Sequence, residues 1–510
     1  MEATDSQQAR RFELAPRHVV WASICLAVLV AVAGAVSDIC LGDENVHVRH
    51  VRAFTESWER IPYDPLSLLP DDRDVLPLNN TPLWHVGLAL IWRVSGESQV
   101  LAQFYQAGFY LLLVLCVYFG ARAAWDATAA GWAWLLVATS PMACAYSILL
   151  YQDMPGVALS ALGLFLLWRK KFFLCGIALA AAYLTKMTML AFVPCAAAFA
   201  LLASREDWKQ GIRAAALVAA PVVLVLAYDL AWQLAVYNAP GYPRIVPPGL
   251  HTLSAAGRQA FRGLPADYTA WRPYPAFYPK SIVTHLGILF VCVLPFALAG
   301  ALDRVALTLW GCFVVTLLGF FLLFVRVDST QIRYTFPAVL ALALLCGNGL
   351  RRLSLNRWLV AAIAAGCIAQ VVATCGYIAH KRVIPPADGA AFTWIRENVE
   401  PTARLMFPEE LLATQTGRHG TWGVLNPAFF MSEATEAQQR ELLAFFHVSY
   451  IAVPLRRVYD REKEGSHSGG YARDFVEELG SLPWIEKVYE NPGFLIYRVV
   501  PPEEEPPASE

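Results

Sequence analysis

Long apolar runs constrain this chain more than any other feature of its sequence. Hydrophobic residues make up 57% of the 510 residues and charged residues 16%, whereas soluble domains are nearer to about 45–50% and about 25%. Runs close to the length that crosses a bilayer lie at about 19–37, 100–120, 129–148, 155–168, 212–238, 282–301, 305–325, 334–349 and 358–379. The sequence therefore predicts a multi-pass membrane protein.

Residues 172–203 decide how many spans there are. This stretch is long for one span of about 20 residues and short for two. A single span would bury Lys186 near the middle of the bilayer, which is costly, so we expect two short tilted spans with Lys186 at their outer turn. The result is eleven spans over 19–380, which put residues 1–18 and the short connectors rich in Lys and Arg on the cytoplasmic side, in agreement with the positive-inside rule.

The outer segments differ in composition from the spans. In this topology the loops 38–99 and 239–280 lie outside, and "NNTPLWHVGLALIWRVSG" in the first is expected to lie along the membrane interface. Residues 385–500 combine helical periodicity, in "ADGAAFTWIREN" and "EATEAQQRELLAFF", with the strand patterns "SYIAVPL" and "GFLIYRVV". The predicted fold is thus an all-α transmembrane domain followed by a small extracytoplasmic α/β domain and a disordered tail at 501–510.

Charge and cysteine content exclude several classes of function. The net charge of −1 gives no basic surface for nucleic acid. The eleven cysteines lie in or just after apolar runs, where they resemble small hydrophobic residues more than a disulfide framework. The segment 385–500 has no Gly-rich phosphate loop and no metal-spaced set of Cys or His; we expect no cofactor and assign no metal ligands.

In the eleven-span topology, five charged residues from well-separated segments are expected at the same outer face: Asp43, Glu44, Asp153, Lys186 and Arg333. Each has an ordinary explanation by itself, as a solvating charge at a span end, a turn residue or a snorkelling cation. Together they suit glycosyl transfer from a lipid phosphate. Cations hold the leaving phosphate through charge-assisted hydrogen bonds, while a carboxylate takes the proton of the attacking hydroxyl.

Several motifs resemble the GT-C superfamily of integral membrane glycosyltransferases. In chain order they are "GDENVH", "NNTPLWH", "YQDMP", "YLTK" and "QIRYTFPAVLALAL", and the resemblance covers about residues 19–350. That superfamily includes protein O-mannosyltransferases, bacterial lipid A aminoarabinose transferases and dolichyl-phosphate-glucose-dependent glucosyltransferases. The resemblance implies an inverting, generally metal-independent transferase that uses a lipid-phosphate sugar.

The resemblance also implies roles for individual residues. Asp43 maps onto the general base, with Glu44 as its competitor, and Asp153 onto the second acidic position. Lys186 and Arg333 map onto the cations that bind the donor phosphate. The residues expected to contact substrate are His47, Asn80, Tyr151 and Tyr334.

These features predict a glycosyltransferase of the plasma (inner) membrane whose active site is extracytoplasmic. Its expected partners are a polyprenyl-phosphate sugar, membrane lipids and an acceptor that is a glycan, lipid or protein. Family members often carry an aromatic residue just after the acidic pair. Here Asn45 and Val46 follow it, which leaves the acceptor class open.

Two alternatives belong to other classes of protein. A transporter or flippase places ionisable residues near mid-span, whereas most charges here lie at the outer ends and Asp229 is the partly buried exception. The other alternative, an inactive scaffold that presents the C-terminal domain, would have no requirement for Asp43.

Overall fold

Helices dominate the part of the chain that precedes residue 384. The computed structural model describes residues 13–41, 44–58, 81–203, 207–237, 287–300, 302–324, 333, 335–353, 357–407, 411–421, 434–445, 447–460 and 470–500. The described residues divide into two units. The first holds the helices up to Val383 except residues 233–237, and the second contains those five residues and the chain from Ile384 onward.

The first unit is built from apolar helices. The helices are α1 (Pro16–Ala35), α2 (Glu44–Ser57), α3 (Leu83–Ser95), α4 (Gln99–Ala124), α5 (Ala127–Ala138), α6 (Pro141–Ile148), α7 (Asp153–Trp168), α8 (Phe172–Thr185), the 3₁₀ helix Met187–Ala191, α9 (Phe192–Ala203) and α10 (Trp208–Tyr237), followed by Ile288–Val293, Phe296–Ala299, Arg304–Phe324, Phe336–Leu350 and Arg357–Lys381.

Four of the described helices are each long and apolar enough to cross a membrane. They cover Pro16–Ala35, Gln99–Ala124, Trp208–Asp229 and Trp358–Lys381. The helices α6 and α7 qualify together as one broken span, with a bend of 120° between them, and shorter apolar helices fill the rest of the unit. The description as a largely helical membrane protein is therefore confirmed, while the count of eleven spans stays a prediction.

Two of the breaks in the apolar runs have a clear local cause. The run 129–148 forms two helices because Ser140 caps a new one: its Oγ accepts from the Ala143 amide at 3.1 Å, and Pro141 occupies the first helical position, which suits its fixed φ. The run 172–203 breaks at Lys186, whose backbone is extended, with φ −156° and ψ 121°. This break lies where the sequence predicts a turn.

Close packing joins the helices that carry the candidate site. Helix α1 packs against α4, α4 packs against α7, and α7 packs against α8. Gly176 of α8 lets the backbones approach, because a Cβ there would lie 2.6 Å from the carbonyl oxygen of Val218 in α10. Only three residues connect α7 to α8, so the two helices run in opposite directions, and the start of α7 lies near the end of α8.

The second unit contains a mixed five-stranded sheet. The strands of the whole unit are β1 (Arg404–Met406), β2 (His419–Thr421), β3 (Val448–Pro454), β4 (Val458–Tyr459), β5 (Tyr471–Ala472), β6 (Ile485–Glu490) and β7 (Phe494–Val499). Its helices are Pro386–Asn398, Leu411–Thr416, Glu436–Phe445, the 3₁₀ turn Leu455–Arg457 and Arg473–Leu479. The sheet order is β2-β1-β3-β7-β6, while β4 and β5 pair separately. β1 runs parallel to β2 and β3, and β7 runs antiparallel to β3 and β6. The nearly continuous burial of β3 follows from its central position.

Candidate active site

The turn between α6 and α7 is the structural centre of the candidate site. A buried amide of α4 holds it: Nε2 of Gln106 lies 2.7, 3.0 and 2.9 Å from the carbonyl oxygens of Tyr146, Leu149 and Tyr151. Oε1 of the same amide accepts from the indole of Trp84 on α3 at 3.0 Å. The amide thus fixes the turn against α3 and α4. Sequence reasoning missed Gln106, and the signal for it was an amide within an apolar span, which must find buried partners.

An ion pair, called here the site pair, follows the turn directly. Asp153 is the first residue of α7, where the helix dipole favours a carboxylate, and Lys186 lies at the break after α8. Nζ of Lys186 lies 2.5 Å from Oδ1 of Asp153, and the two side chains are 12% and 1% exposed. Within the described residues, Oδ2 of Asp153 has no hydrogen-bond partner. The site pair therefore keeps one carboxylate oxygen available.

Tyr151 connects the turn to two other segments. The guanidinium carbon of Arg333 lies 5.1 Å from the centroid of its ring, within cation–π range. Its hydroxyl donates to the carbonyl of Leu41 at 3.2 Å, just ahead of the predicted base in the sequence. That residue, Asp43, lies outside the described residues, as do Asn80 and Tyr334.

Glu44 takes part in a second ion pair, called here the clamp, with Arg382. Both side chains are fully buried, and Nη2 of Arg382 lies 3.0 Å from Oε1 of Glu44. Oε1 also accepts from the amide of Leu150 at 3.0 Å. Oε2 accepts from the amide of Leu41 at 3.1 Å and from Nε of Arg382 at 3.2 Å. Both oxygens of Glu44, which the sequence offered as a catalytic candidate beside Asp43, are therefore occupied by the protein itself.

Arg382 extends the clamp to the end of α1. Its Nη1 donates to the carbonyl of Gly34 at 3.0 Å and to the hydroxyl of Ser37 at 2.8 Å. Its carbonyl accepts from the amide of Asp38 at 2.6 Å. The clamp thus joins the end of α1, the start of α2, the turn before α7 and the end of the helix Arg357–Lys381. Sequence reasoning missed this residue, because at the end of an apolar run an arginine looks like an ordinary flanking cation.

A chain of polar side chains leads from the turn to α2. Nε2 of Gln152 lies 2.8 Å from the carbonyl oxygen of Thr81 and 3.2 Å from Nδ1 of His85. Nε2 of His85 lies 3.1 Å from Nδ1 of His47. His50, one turn further along α2, uses its own Nδ1 toward the carbonyl of Val46 at 2.8 Å.

The electrostatics of His47 show that it shares a neighbourhood with Lys186 and Arg333. Burial lowers the pKa of His47 well below its ordinary value, and the positive charges of His50, Lys186 and Arg333 lower this pKa further. The ring of Tyr151 lies 5.8 Å from the His47 ring, centroid to centroid. The described residues predicted from the sequence therefore gather around the turn, which Glu44 contacts as a member of the clamp through the amide of Leu150.

Among the described residues, no group of three or more His, Cys, Asp or Glu side chains has an arrangement that would hold a metal ion.

Asp229 of α10 is buried and accepts a hydrogen bond at 2.8 Å from the hydroxyl of Tyr183 on α8. The acidic residue that sequence reasoning noted as partly buried therefore lies within the helical bundle.

A protein-family model described as dolichyl-phosphate-mannose-protein mannosyltransferase matches residues 79–232 of this chain. The matched segment includes the turn and both members of the site pair. A comparison with curated protein sequences finds no match.

Solved structures of membrane glycosyltransferases share the fold. ArnT from Cupriavidus metallidurans in the apo state matches with a TM-score of 0.65 and 14% identity, over 95% of this chain and 98% of that one; its structure bound to undecaprenyl phosphate gives a TM-score of 0.60. AglB, the oligosaccharyltransferase from Archaeoglobus fulgidus, in complex with an inhibitory peptide and a dolichol-phosphate, matches at 0.54 and 12% identity, over 86% and 70%. Arabinofuranosyltransferase AftD from Mycobacteria matches at 0.53 and 15%, over 97% and 42%.

The chain thus has the fold of the GT-C glycosyltransferases, which confirms the resemblance predicted from its sequence motifs.

Proposed function

We propose that this protein is an inverting glycosyltransferase that moves a sugar from a polyprenyl-phosphate donor to an acceptor on the extracytoplasmic face of the membrane. The observation that carries the proposal is the cluster around the turn before α7. There the site pair, Arg333 and His47 lie together in a chain with the GT-C fold. ArnT with undecaprenyl phosphate and AglB with a dolichol-phosphate share this fold, which supports a lipid-phosphate donor.

The proposed reaction develops negative charge on the phosphate. An acceptor hydroxyl attacks the anomeric carbon, its proton passes to the carboxylate of Asp43, and the bond from the anomeric carbon to the phosphate oxygen breaks. The donor phosphodiester carries one negative charge, and the polyprenyl phosphate that leaves carries up to two. Lys186 and Arg333 stabilise that additional charge, an electrostatic contribution that is often the largest in catalysis.

Asp153 and Glu44 have supporting roles in this scheme. Asp153 orients the ammonium of Lys186 through Oδ1 and offers Oδ2 to the substrate. Glu44 positions the loop: its two oxygens hold the amides of Leu41 and Leu150, and the first of these precedes Asp43 by two positions in the sequence. We therefore assign Glu44 to positioning and proton transfer to Asp43.

The test is turnover of donor by the purified full-length protein in proteoliposomes. A panel of undecaprenyl-phosphate sugars is supplied with lipid, glycan and peptide acceptors, and released undecaprenyl phosphate is measured by mass spectrometry. We expect one donor to be consumed, with inversion at the anomeric carbon of the product. If every donor stays intact while labelled lipid crosses the bilayer, the protein is a flippase and the transferase proposal fails.

The location of the site is tested by topology. The eleven-span topology puts the N-terminus in the cytoplasm and the domain at 385–500 outside, so reporter fusions after residues 208 and 382 should report opposite sides of the membrane. A cytoplasmic signal at 382 would contradict the extracytoplasmic assignment.

A further inference from the structure

We infer that Gln152 and His85 hold His47 in one neutral tautomer, whose Nε2–H donates to an oxygen of the donor phosphate beside Lys186 and Arg333. This inference rests on the proposed function and deepens it. It makes Gln152 and His85 positioning residues and gives His47 a direct contact with the substrate.

The direction of the hydrogen-bonded chain is set at its first bond. The carbonyl oxygen of Thr81 can only accept, so the Gln152 atom 2.8 Å from it donates. That amide nitrogen carries two hydrogens and no lone pair for a hydrogen bond. Because Nδ1 of His85 lies 3.2 Å from the same nitrogen, Nδ1 must accept the second hydrogen.

The remaining tautomers follow from this acceptor. A neutral His85 that accepts at Nδ1 carries its hydrogen on Nε2. Nε2 lies 3.1 Å from Nδ1 of His47, which therefore accepts as well. His47 then carries its hydrogen on Nε2, at the ring edge remote from His85, and a second proton on Nδ1 would face the hydrogen of His85.

The surroundings of His47 favour an uncharged ring. Among the described residues, the charged and titratable groups around it are His50 on α2, His85 on α3, Tyr151 in the turn, and the cations Lys186 and Arg333. Burial and these positive charges lower the pKa of His47, in agreement with the tautomer chain. A neutral donor adds directional binding at an anion site without a third positive charge, which would retain the leaving polyprenyl phosphate more strongly.

The tautomer is tested directly by NMR. In protein labelled with ¹⁵N-histidine, the signals missing from His47→Gln belong to His47. We expect the shift pattern of an Nε2-protonated neutral ring in the wild type, and loss of this single pattern in Gln152→Met and His85→Leu. An Nδ1-protonated or charged His47 in the wild type would overturn the inference, and so would an unchanged His47 pattern in Gln152→Met.

The contact with phosphate is tested by binding of undecaprenyl phosphate to the purified protein. His47→Gln keeps an amide N–H near the position of Nε2, whereas His47→Leu does not. We expect His47→Leu to weaken binding about 10-fold or more, the effect of one hydrogen bond to a charged phosphate, and His47→Gln to restore most of it. His85→Gln and His85→Leu form a second pair with the same expectation, since only glutamine offers a donor to His47.

The control is His18→Leu, which removes an exposed histidine at the start of α1 and should leave binding unchanged. Melting curves show which variants are folded, so that one pair remains informative if the other is unstable. Equal binding by folded leucine and glutamine variants would overturn the inference while the lipid-phosphate site stands. Absence of binding by the wild-type protein would overturn the donor proposal itself.

Discussion

The carboxylates of two buried ion pairs among the described residues of the first unit differ in how completely the protein satisfies them. In the clamp, both side chains are fully buried, and the two oxygens of Glu44 receive two backbone amides and the guanidinium of Arg382. In the site pair, Lys186 retains some exposure, and one oxygen of Asp153 has no hydrogen-bond partner among the described residues.

This difference suits the clamp to a structural role and the site pair to a catalytic role. A buried carboxylate with both oxygens hydrogen-bonded, as in Glu44, has no acceptor left for a ligand, and loss of its charged partner is felt in folding. A pair with an available oxygen and a partly exposed ammonium can accept a substrate and stabilise charge. Sequence reasoning chose Asp43 as the general base, kept Glu44 as its competitor and placed Asp153 at the second acidic position, but it did not show that Glu44 is held by a buried partner.

The largest expected effect separates the two neighbouring carboxylates Asp43 and Glu44. Asp43→Asn keeps the size of the side chain and removes the proton acceptor, so transfer should fall by about 10²–10⁴-fold while the melting temperature stays near that of the wild type. Glu44→Gln should lower the melting temperature, because it leaves Arg382 buried without its counter-charge, and should reduce transfer less per folded molecule. Turnover assays and melting curves on both variants measure this.

Reversal of these results would exchange the two roles. If Asp43→Asn transfers sugar at the wild-type rate and stable Glu44→Gln does not, Glu44 is the base. If both variants are fully active, the transferase proposal fails.

The next effect concerns the stability of the clamp. Arg382→Ala leaves the Glu44 carboxylate buried and uncompensated, and the expected cost is about 3–5 kcal/mol of unfolding free energy. The exposed pair Arg52–Glu97 is the matched control: its side chains are 33% and 49% exposed, with atoms 2.8 Å apart, so Arg52→Ala should cost about 0–1 kcal/mol. Denaturant titration in detergent compares them.

A double variant distinguishes charge from packing. Arg382→Met combined with Glu44→Gln removes both charges and should recover part of the stability lost in Arg382→Ala. A single Arg382→Ala variant as stable as Arg52→Ala would show that the clamp does not hold the fold.

The third effect concerns the cations of the site. Lys186→Ala and Arg333→Ala should each reduce transfer by about 10²-fold or more, the scale of one lost charge-stabilising donor. Lys171→Ala is the matched control, since it removes an exposed lysine from the connector at the opposite ends of α7 and α8. Wild-type turnover in both site variants would sink the assignment to the donor phosphate, as would an equal loss in Lys171→Ala.

Much of the helical architecture was predictable because apolar runs of membrane-spanning length have few alternatives. The break at Lys186 followed from the cost of a buried charge, and the structure has a helix break at that residue. The count of spans was less accessible. Helices such as α5 and α6 are shorter than the apolar run that contains them, because a serine cap and a proline interrupt it.

The site was predictable to the extent that it depends on charged residues in distinctive motifs. Asp153 and Lys186 were singled out from the sequence, and the structure brings them to 2.5 Å. Arg382 and Gln106 were missed because their roles depend on partners in distant segments. The carbonyls held by Gln106 are 40 to 45 positions away, and Glu44 is 338 positions from Arg382. Long-range pairing of this kind leaves no periodic pattern in one sequence.

The smallest expected effect concerns pH and the histidine chain that borders the site pair. An unfolded histidine titrates at a pKa of about 6.5, whereas burial and neighbouring cations lower the pKa of folded His47. Below about pH 6.5 the unfolded chain therefore binds a proton that the folded protein does not, and stability falls as the pH falls; above that pH His47 contributes no such dependence. The slope reaches about 1.4 kcal/mol per pH unit for one proton.

The measurement is the change in unfolding free energy between pH 7.5 and pH 5.5. This decrease should be larger in the wild type than in His47→Gln. The control His18→Gln, which removes an exposed histidine, should show the same decrease as the wild type. The comparison leaves unchanged the described groups that face His47, namely His50, His85, Tyr151, Lys186 and Arg333. Equal pH dependence in the wild type and His47→Gln would therefore mean that His47 does not stay neutral in the folded protein.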